Sequence, residues 1–262
     1  MGNVLICIVT RNNLVLSKRA VNSALQQQPH CDVMVTDNAS TDGTLSWLKT
    51  KPVALMAFTK QLSLAACWNA ALRAAWRMGY EAVLMLNNDV AIQDMTARIL
   101  YAVNEPFVTC VSVGSEEQLA PRTDDEVPWL KANARPNPDY SCWMMRKSVT
   151  DQGIWFDESC YPAYTEDSSH HVELHRHGIS AICIDLPYLH FGASTLKQAS
   201  EKEAIVIRRG AQRNRERFKA KYGCLPGTPE YEKLFSEDQF GIAKKLRVPL
   251  VLTAPASAPP VL

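Results

Sequence analysis

The stretch from Glu81 to Val90 constrains the fold of this chain more than any other segment. Its apolar residues, Ala82–Leu86, run without interruption and are followed directly by Asn87–Asp89. Such a run is typical of a strand buried on both faces, as in a parallel sheet covered by helices. The polar cluster would then lie at the carboxyl end of the strand, where open α/β sheets bind ligands. Its carboxylate and amide oxygens suit a divalent cation, and the same residues also favour an ordinary turn.

Composition places the chain among ordinary globular proteins. Its 262 residues can bury a sizeable core, and the formal net charge of +1 gives no global field toward nucleic acid or membrane. No apolar stretch approaches the roughly 18–20 residues that cross a bilayer, and the first residues lack the features of a signal peptide. The eight cysteines form no CxxC pair, which favours a reducing, cytoplasmic setting.

Strand and helix patterns alternate through the first third of the chain. The alternation predicts strand–helix units and a parallel central sheet flanked by helices, an α/β fold. Polar residues end three of the predicted strands: Thr10 with Arg11, Asp37 with Asn38, and Asn87–Asp89. There is no GxGxxG or GxxxxGK[ST] motif, so a Rossmann dinucleotide site and a P-loop are not expected. The predicted strands are 4–9, 32–36, 53–58 and 82–86, and the predicted helices are 14–27, 45–49 and 64–78.

The pattern changes after Thr96. The polar, proline-containing segment 114–138 is interpreted as a long mobile loop that either lines an acceptor site or is a simple excursion. Glu166 and Asp167 are expected to open a helix that Gly178 closes. The Pro-rich segment from Val248 onward predicts a flexible tail. Further strands are predicted at 108–113, 140–145 and 180–185, and a further helix at 199–222.

In order and spacing, these segments resemble a family 2 glycosyltransferase of the GT-A fold over roughly residues 4–235. The resemblance implies a Rossmann-like central sheet with a nucleotide-sugar half at 1–95, an acceptor and catalytic half at 96–235, and a C-terminal extension at 236–262. The segments that carry it are 9–12 (VTRN), 35–44 (VTDNASTDGT), 64–71 (LAACWNAA), 86–89 (LNND), 156–158 (FDE), 166–167 (ED) and 190–195 (HFGAST).

The resemblance implies donor-site roles for several polar residues. Asp37 matches the acidic residue that hydrogen-bonds the nucleobase or ribose, and Asn87–Asp89 takes the place of the DXD motif. Asp89 is then the expected ligand of Mn²⁺ or Mg²⁺, and His190 is expected on the metal or the diphosphate. The other expected donor-binding residues are Thr10, Arg11, Asn38, Asn69, Asn87 and Asn88. For Asn69 the alternative is a solvated polar position on an amphipathic helix.

The same resemblance assigns the catalytic base to Asp167. A carboxylate there would take the proton of the acceptor hydroxyl as it attacks the anomeric carbon, in an inverting single displacement. Both Glu166 and Asp167 would also be favoured at a helix N-terminus by the helix dipole. Glu166 and Trp143 are expected on the acceptor side.

The chain departs from the family pattern after Asp167. Ser169 stands where a second acid is expected, and histidines follow at 170, 171, 175 and 177. His171 and His175 would share a helix face, but their spacing supplies no third zinc ligand, so a solvated helix face is expected instead.

The acceptor stays open at this point. A glycan or glycolipid is expected, and a DNA base is the alternative because basic residues crowd the last predicted helix and would suit phosphates. A third hypothesis is an inactive sugar-nucleotide or glycan-binding protein, since the first acid of the DXD motif is missing. The basic residues are Arg208, Arg209, Arg213, Arg215, Arg217, Lys219 and Lys221.

Overall fold

The computed structural model describes residues 3–119, 129–134, 137–192, 199–235 and 244–247. The strands are β1 (Val4–Thr10), β2 (Asp32–Asn38), β3 (Ala54–Phe58), β4 (Ala82–Asn87), β5 (Val90–Ala91), β6 (Phe107–Val113), β7 (Trp129–Ala134), β8 (Cys142–Arg146), β9 (Ile182–His190) and β10 (Lys244–Arg247). The helices are α1 (Leu14–Leu25), α2 (Thr44–Leu48), α3 (Leu64–Arg77), α4 (Thr96–Val103), α5 (Lys147–Asp151), α6 (Glu166–Arg176), α7 (Glu201–Tyr222) and α8 (Pro229–Glu232).

All described strands join one sheet in the order β10-β7-β9-β6-β8-β4-β1-β2-β3, with β5 paired to β9. Strands β3, β2, β1 and β4 are parallel to one another, as the strand–helix alternation predicts. Beyond β4 the sheet is mixed, because β8 runs antiparallel to both β4 and β6 while β6 and β9 are parallel. The carboxyl ends of β1, β2, β4 and β9 therefore lie at one edge, together with the start of β8.

Two hydrophobic layers cover the two faces of the sheet. Alternate residues of β4 divide between them: Leu84 and Leu86 pack with α1 and α4, and Val83 and Met85 pack with α3 and an aromatic cluster around Trp143. Residues Ala82–Leu86 have no exposed surface. Burial of alternate side chains on opposite faces explains why the strand is apolar at every position.

Several predicted boundaries are confirmed by specific caps. Asn13 caps α1 through its side chain, and Gly178 follows the end of α6 with a positive φ of 72°. Helix α7 begins with a capping box in which Ser200 and Glu203 bond to each other's backbone N–H groups. No helix in the described part of the chain is both long and apolar enough to span a bilayer.

The interpretation of 114–138 as one long loop is wrong in part. Strand β7 (Trp129–Ala134) lies within it and pairs with β9 and β10. A strand of six residues surrounded by prolines gives little periodic signal, and its partners are distant in sequence. Residues 120–128 and 135–136 of this segment, and the tail from Val248, lie outside the described residues.

Candidate active site

Asp37 lies at the carboxyl end of β2 and has no exposed surface. Its Oδ1 accepts a hydrogen bond from the Ser40 backbone N–H at 3.0 Å. Its Oδ2 is buried and has no hydrogen-bond partner among the described residues. Buried polar atoms are normally paired, so the unpaired oxygen of Asp37 makes the end of β2 a candidate ligand contact.

Asn88 and Thr10 together hold the turn between β1 and α1. The Asn88 amide lies 3.3 Å from the Thr10 hydroxyl, from the Asn12 carbonyl and from the Ser17 hydroxyl. The Thr10 and Ser17 hydroxyls are 2.7 Å apart. Thr10 and Asn88, both predicted to bind the donor, therefore form hydrogen bonds within the protein that stabilise the turn beside Asp37.

Arg11 is bound by the C-terminal helix. Its Nη2 donates to Oε1 of Glu203 at 3.0 Å, and both side chains are half-buried. The N-terminus of α7 is thus brought to the end of β1, beside the residues predicted to contact the nucleotide.

Asn38 and Asn69 lie at the border of this site and bond to backbone. Asn38 exchanges two hydrogen bonds with Leu62, in the loop before α3. Asn69 is 1% exposed, and its amide pairs with both backbone groups of Phe156 and with Glu158. The alternative expectation for Asn69, a solvated position on the helix surface, is therefore wrong. Packing of α3 against a segment 87 residues away gives it a buried structural role.

Asp89 and His190 face each other across the end of the sheet. The distance from His190 Nε2 to Asp89 Oδ1 is 3.6 Å, and β5 pairs with β9 at this point. The Asp89 carboxylate raises the pKa of His190 against the opposing effect of burial. Ser141 lies 3.5 Å from His190 Nε2, and its hydroxyl accepts from the Asn87 amide at 3.3 Å.

Asp167 and Glu166 occupy the first turn of α6, as predicted. Burial raises the pKa of the Asp167 carboxyl, although hydrogen bonds from Ser168 lower it. Burial and the Asp167 charge raise the pKa of Glu166 well above its ordinary value, and Glu166 Oε2 has no partner within the described residues. The raised pKa values make both carboxyl groups candidates for a general base.

Residues 139–141, just before β8, connect these two parts of the site. Ser141 contacts Asn87 and His190, as described above, and Tyr140 lines a small cavity of about 50 Å³ with Asp167. The Asp139 charge contributes to the raised pKa of both Asp167 and His190. The base candidate and the metal candidates are therefore placed around one short segment.

Trp143 has no exposed surface and packs against Trp68, Phe107 and Phe156. It points into the aromatic core beneath α3, because residues of β8 alternate between the two faces of the sheet. In this structure the expected acceptor-side tryptophan is a core residue.

The histidines after Asp167 are not a solvated face, so that expectation is wrong for two of them. His170 is 1% exposed and stacks on Phe156, and its Nδ1 lies 3.0 Å from the Tyr140 hydroxyl. His171 is 4% exposed and stacks on Phe235. Within the described ranges, no group of three or more His, Cys, Asp or Glu side chains is arranged to hold a metal ion.

The basic residues of α7 have two different environments. Arg213 donates to the Tyr161 carbonyl, Arg217 donates to the Ser159 carbonyl, and Lys221 lies 3.5 Å from Glu173. All seven basic residues of the run are exposed, and the two environments differ in whether the side chain contacts the protein. Three of the basic residues that suggested a DNA-binding surface, Arg213, Arg217 and Lys221, therefore also form contacts within the protein.

Sequence reasoning missed Asp139, Ser141 and Glu203. Each of them interacts with a site residue that is distant in the sequence; Arg11 and Glu203, for example, are 192 positions apart. No motif or periodicity marks such a pair.

Comparison with solved structures shows which proteins share this fold. A mannosyltransferase, PcManGT from Pyrobaculum calidifontis in complex with GDP-Man and Mn²⁺, has a TM-score of 0.58 and 20% identity over 88% of this chain and 67% of its own. S. aureus TarS 1–349 in complex with UDP-GlcNAc has a TM-score of 0.56 and 17% identity over 80% of this chain and 66% of its own. For the TarS complex with UDP the values are 0.52 and 17%, over 72% and 58%. The chain thus spans less than two thirds of these TarS structures, and the similarity confirms the GT-A fold.

Sequence comparison gives the family. Comparison with curated proteins produced no match. The family model described as Glycosyl transferase family 2 matches residues 5–152, more than half of the chain. That range includes Asp37 and Asp89, and the shared GT-A fold extends beyond it. This chain therefore belongs to glycosyl transferase family 2.

Proposed function

We propose that this protein moves a sugar from a nucleoside-diphosphate donor to an acceptor hydroxyl in a metal-assisted reaction that inverts the anomeric centre. The observation that supports the proposal most is the placement of Asp167 on one side of residues 139–141 and of Asp89 with His190 on the other. Transfer needs a base near the acceptor and charge neutralisation near the leaving diphosphate. Both groups lie around the same segment.

Asp37 binds the nucleoside in this proposal. Its unpartnered Oδ2 accepts a hydrogen bond from the base or ribose, while Ser40 holds Oδ1 and fixes the orientation of the carboxylate. Thr10 and Asn88 shape the neighbouring turn. Arg11 carries positive charge next to the nucleotide and is held there by Glu203.

Asp89 and His190 fit a divalent metal as a pair of oxygen and nitrogen ligands. Mg²⁺ and Mn²⁺ sites in nucleotide enzymes commonly use one or two protein ligands and complete the shell with phosphates and water. Such a site agrees with the lack of a larger ligand cluster in the described residues. When bound, the metal would neutralise charge on the diphosphate leaving group. His190 must be neutral to bind it, so the metal and the proton compete for the ring.

Asp167 takes the proton of the acceptor hydroxyl. Its raised pKa makes it a stronger base than an exposed aspartate. The new bond forms between the acceptor oxygen and the anomeric carbon as the bond to the diphosphate oxygen breaks, with inversion. We propose a glycan or glycolipid hydroxyl as the acceptor.

A thermal-shift screen of UDP, GDP, UDP-GlcNAc and GDP-mannose, with and without Mn²⁺, tests the donor site. A ligand that binds only the folded state raises the melting temperature, and a Mn²⁺-dependent rise with one nucleotide supports the proposal. The Asp89→Ala variant should lose the Mn²⁺ dependence. Release of UDP or GDP from the selected donor should fall to a low residual rate in Asp167→Asn while the nucleotide shift persists. No shift with any nucleotide would refute the transferase proposal and favour an inactive protein of the same fold.

A further inference from the structure

The segment 157–165, here called the base loop, leads directly into Asp167. It lies between two helices that are far apart in the sequence. On one side, the Leu64 N–H donates to the Pro162 carbonyl at 2.9 Å and the Ser63 hydroxyl donates to the Glu158 carbonyl at 2.8 Å, both at the start of α3. On the other side lies α7. The position of Asp167 therefore depends on how both helices hold this loop.

The end of the base loop has an unfavourable backbone conformation. Tyr164 and Thr165 have φ values of 80° and 71°, in the left-handed region that residues with a side chain rarely adopt. Such conformations persist when surrounding contacts over-determine them, and they concentrate at functional sites. These two residues immediately precede Glu166 and Asp167, so the contacts that maintain them also set the direction in which α6 begins.

Asn214 of α7 supplies those contacts. Its Nδ2 lies 3.3, 2.9 and 3.3 Å from the carbonyl oxygens of Tyr161, Ala163 and Tyr164. The side chain is 1% exposed. Three carbonyl oxygens around one atom establish that this atom is the amide nitrogen, because the amide oxygen would be repelled there. One buried amide thus ties together the last turn of the base loop.

The approach of α7 to the loop is close enough to exclude any side chain at Gly210. A Cβ atom at that position would lie 2.3 Å from Pro162 Cδ and 2.7 Å from the Tyr161 carbonyl oxygen. Arg213 and Arg217 add hydrogen bonds to the carbonyls of Tyr161 and Ser159 from the same face of the helix. Gly210 therefore allows the backbone approach that brings Asn214 to the carbonyls.

We propose that Asn214 is a positioning residue for the reaction: by binding the carbonyls of residues 161, 163 and 164 it orients the first turn of α6, and with it the carboxylate of Asp167. This inference rests on the function proposed above. It assigns to α7, outside the range matched by the family model, a part in the catalytic geometry that no motif of the chain indicates.

Asn214→Ala removes the amide and tests the inference. With the donor selected by the thermal-shift screen and Mn²⁺, turnover measured as nucleotide release should fall at least tenfold. Donor KM and the Mn²⁺-dependent thermal shift should stay within twofold of wild type, because the donor side is held by other elements. Asn214→Ser, whose hydroxyl can donate to one carbonyl, should retain an intermediate rate and serves if the alanine variant does not fold. Gln212→Ala, an exposed position of the same helix, is the matched control and should behave as wild type.

A double variant separates this inference from the proposed function. If Asn214 acts through Asp167, adding Asn214→Ala to Asp167→Asn should lower the residual rate by less than twofold, because the two effects are not independent. Equal losses in both backgrounds would overturn the inference, as would wild-type turnover in both Asn214 variants. Wild-type turnover in Asp167→Asn alone would instead refute the base assignment and, with it, any action of Asn214 through that carboxylate.

Discussion

The burial of His170 predicts a specific pH dependence of stability. Burial, and to a lesser extent the neighbouring His171, lowers the pKa of His170 to about 3 in the folded protein. An unfolded histidine has a pKa of about 6.5. Between these values the unfolded chain binds a proton that the folded protein does not bind. The contribution of His170 to stability is therefore fully present above pH of about 6.5 and is lost as the pH falls below it.

The magnitude follows from the proton linkage. Each pH unit below about 6.5 lowers the free energy of unfolding by about 1.4 kcal/mol. Lowering the pH from 7 to 5 should therefore reduce it by about 2 kcal/mol through His170. This value is insensitive to the folded-state pKa as long as that pKa is below about 4. Glu166 and Asp167 have raised pKa values and act in the opposite direction, because the folded protein holds their protons more tightly. The effect must therefore be read as a difference between variants.

Urea denaturation at pH 7 and pH 5, at constant ionic strength, measures that difference. We expect the unfolding free energy of wild type to fall by about 2 kcal/mol more than that of His170→Phe or His170→Asn over this range. Phe preserves the stacking on Phe156, and Asn preserves an acceptor for Tyr140. Agreement between two variants that pack differently isolates the titration from the packing. An identical pH dependence in wild type and both variants would show that His170 is accessible to protons in the folded state.

Three further predictions concern the site and its supports. Asp37→Asn should weaken binding of the selected nucleotide by roughly 10- to 100-fold, as expected for loss of a charged hydrogen-bond acceptor, and unchanged affinity in calorimetric titration would remove Asp37 from the donor site. Asn69→Ala leaves both backbone groups of Phe156 unpaired and should lower the free energy of unfolding by about 2–3 kcal/mol. The control Arg73→Ala breaks an exposed contact to Glu158 and should lower it by less than about 1 kcal/mol in the same urea denaturation assay. Gly210→Ala gains up to about 1 kcal/mol of helix propensity but meets backbone at 2.7 Å, so overpacking of about 1–3 kcal/mol should dominate and lower the melting temperature. A melting temperature above that of wild type would show that the loop under Gly210 yields easily.

Much of the framework could be read from local patterns. The unbroken apolar run of β4 requires burial on both faces, and the alternation of strands and helices before it leads to a parallel arrangement with its polar ends at one edge. Asn13 and Gly178 mark helix ends through backbone chemistry that depends on their immediate neighbours. These features are local because hydrogen bonding within an element and its apolar periodicity involve residues a few positions apart.

The partners of the polar residues could not be read in this way. Asn69 and Asn88 carry side chains that suit a ligand equally well, and the structure binds both to protein groups. His170 belongs to a polar sequence, and only the packing of α6 on the aromatic cluster removes it from water. In each case the partner comes from a different element and its distance depends on how the elements pack.

The sequence by itself therefore determined the layered α/β fold, the edge of the sheet at which the candidate site lies, and which acidic residues that edge carries. The tertiary structure decided which polar side chains form hydrogen bonds within the protein. It also decided which polar atoms, such as Oδ2 of Asp37, have no hydrogen-bond partner among the described residues. It also decided that α7 reaches back to Arg11 and to the base loop. The physical reason is that burial and periodicity are properties of one element, whereas hydrogen-bond pairing across 50 to almost 200 positions exists only after the elements have packed.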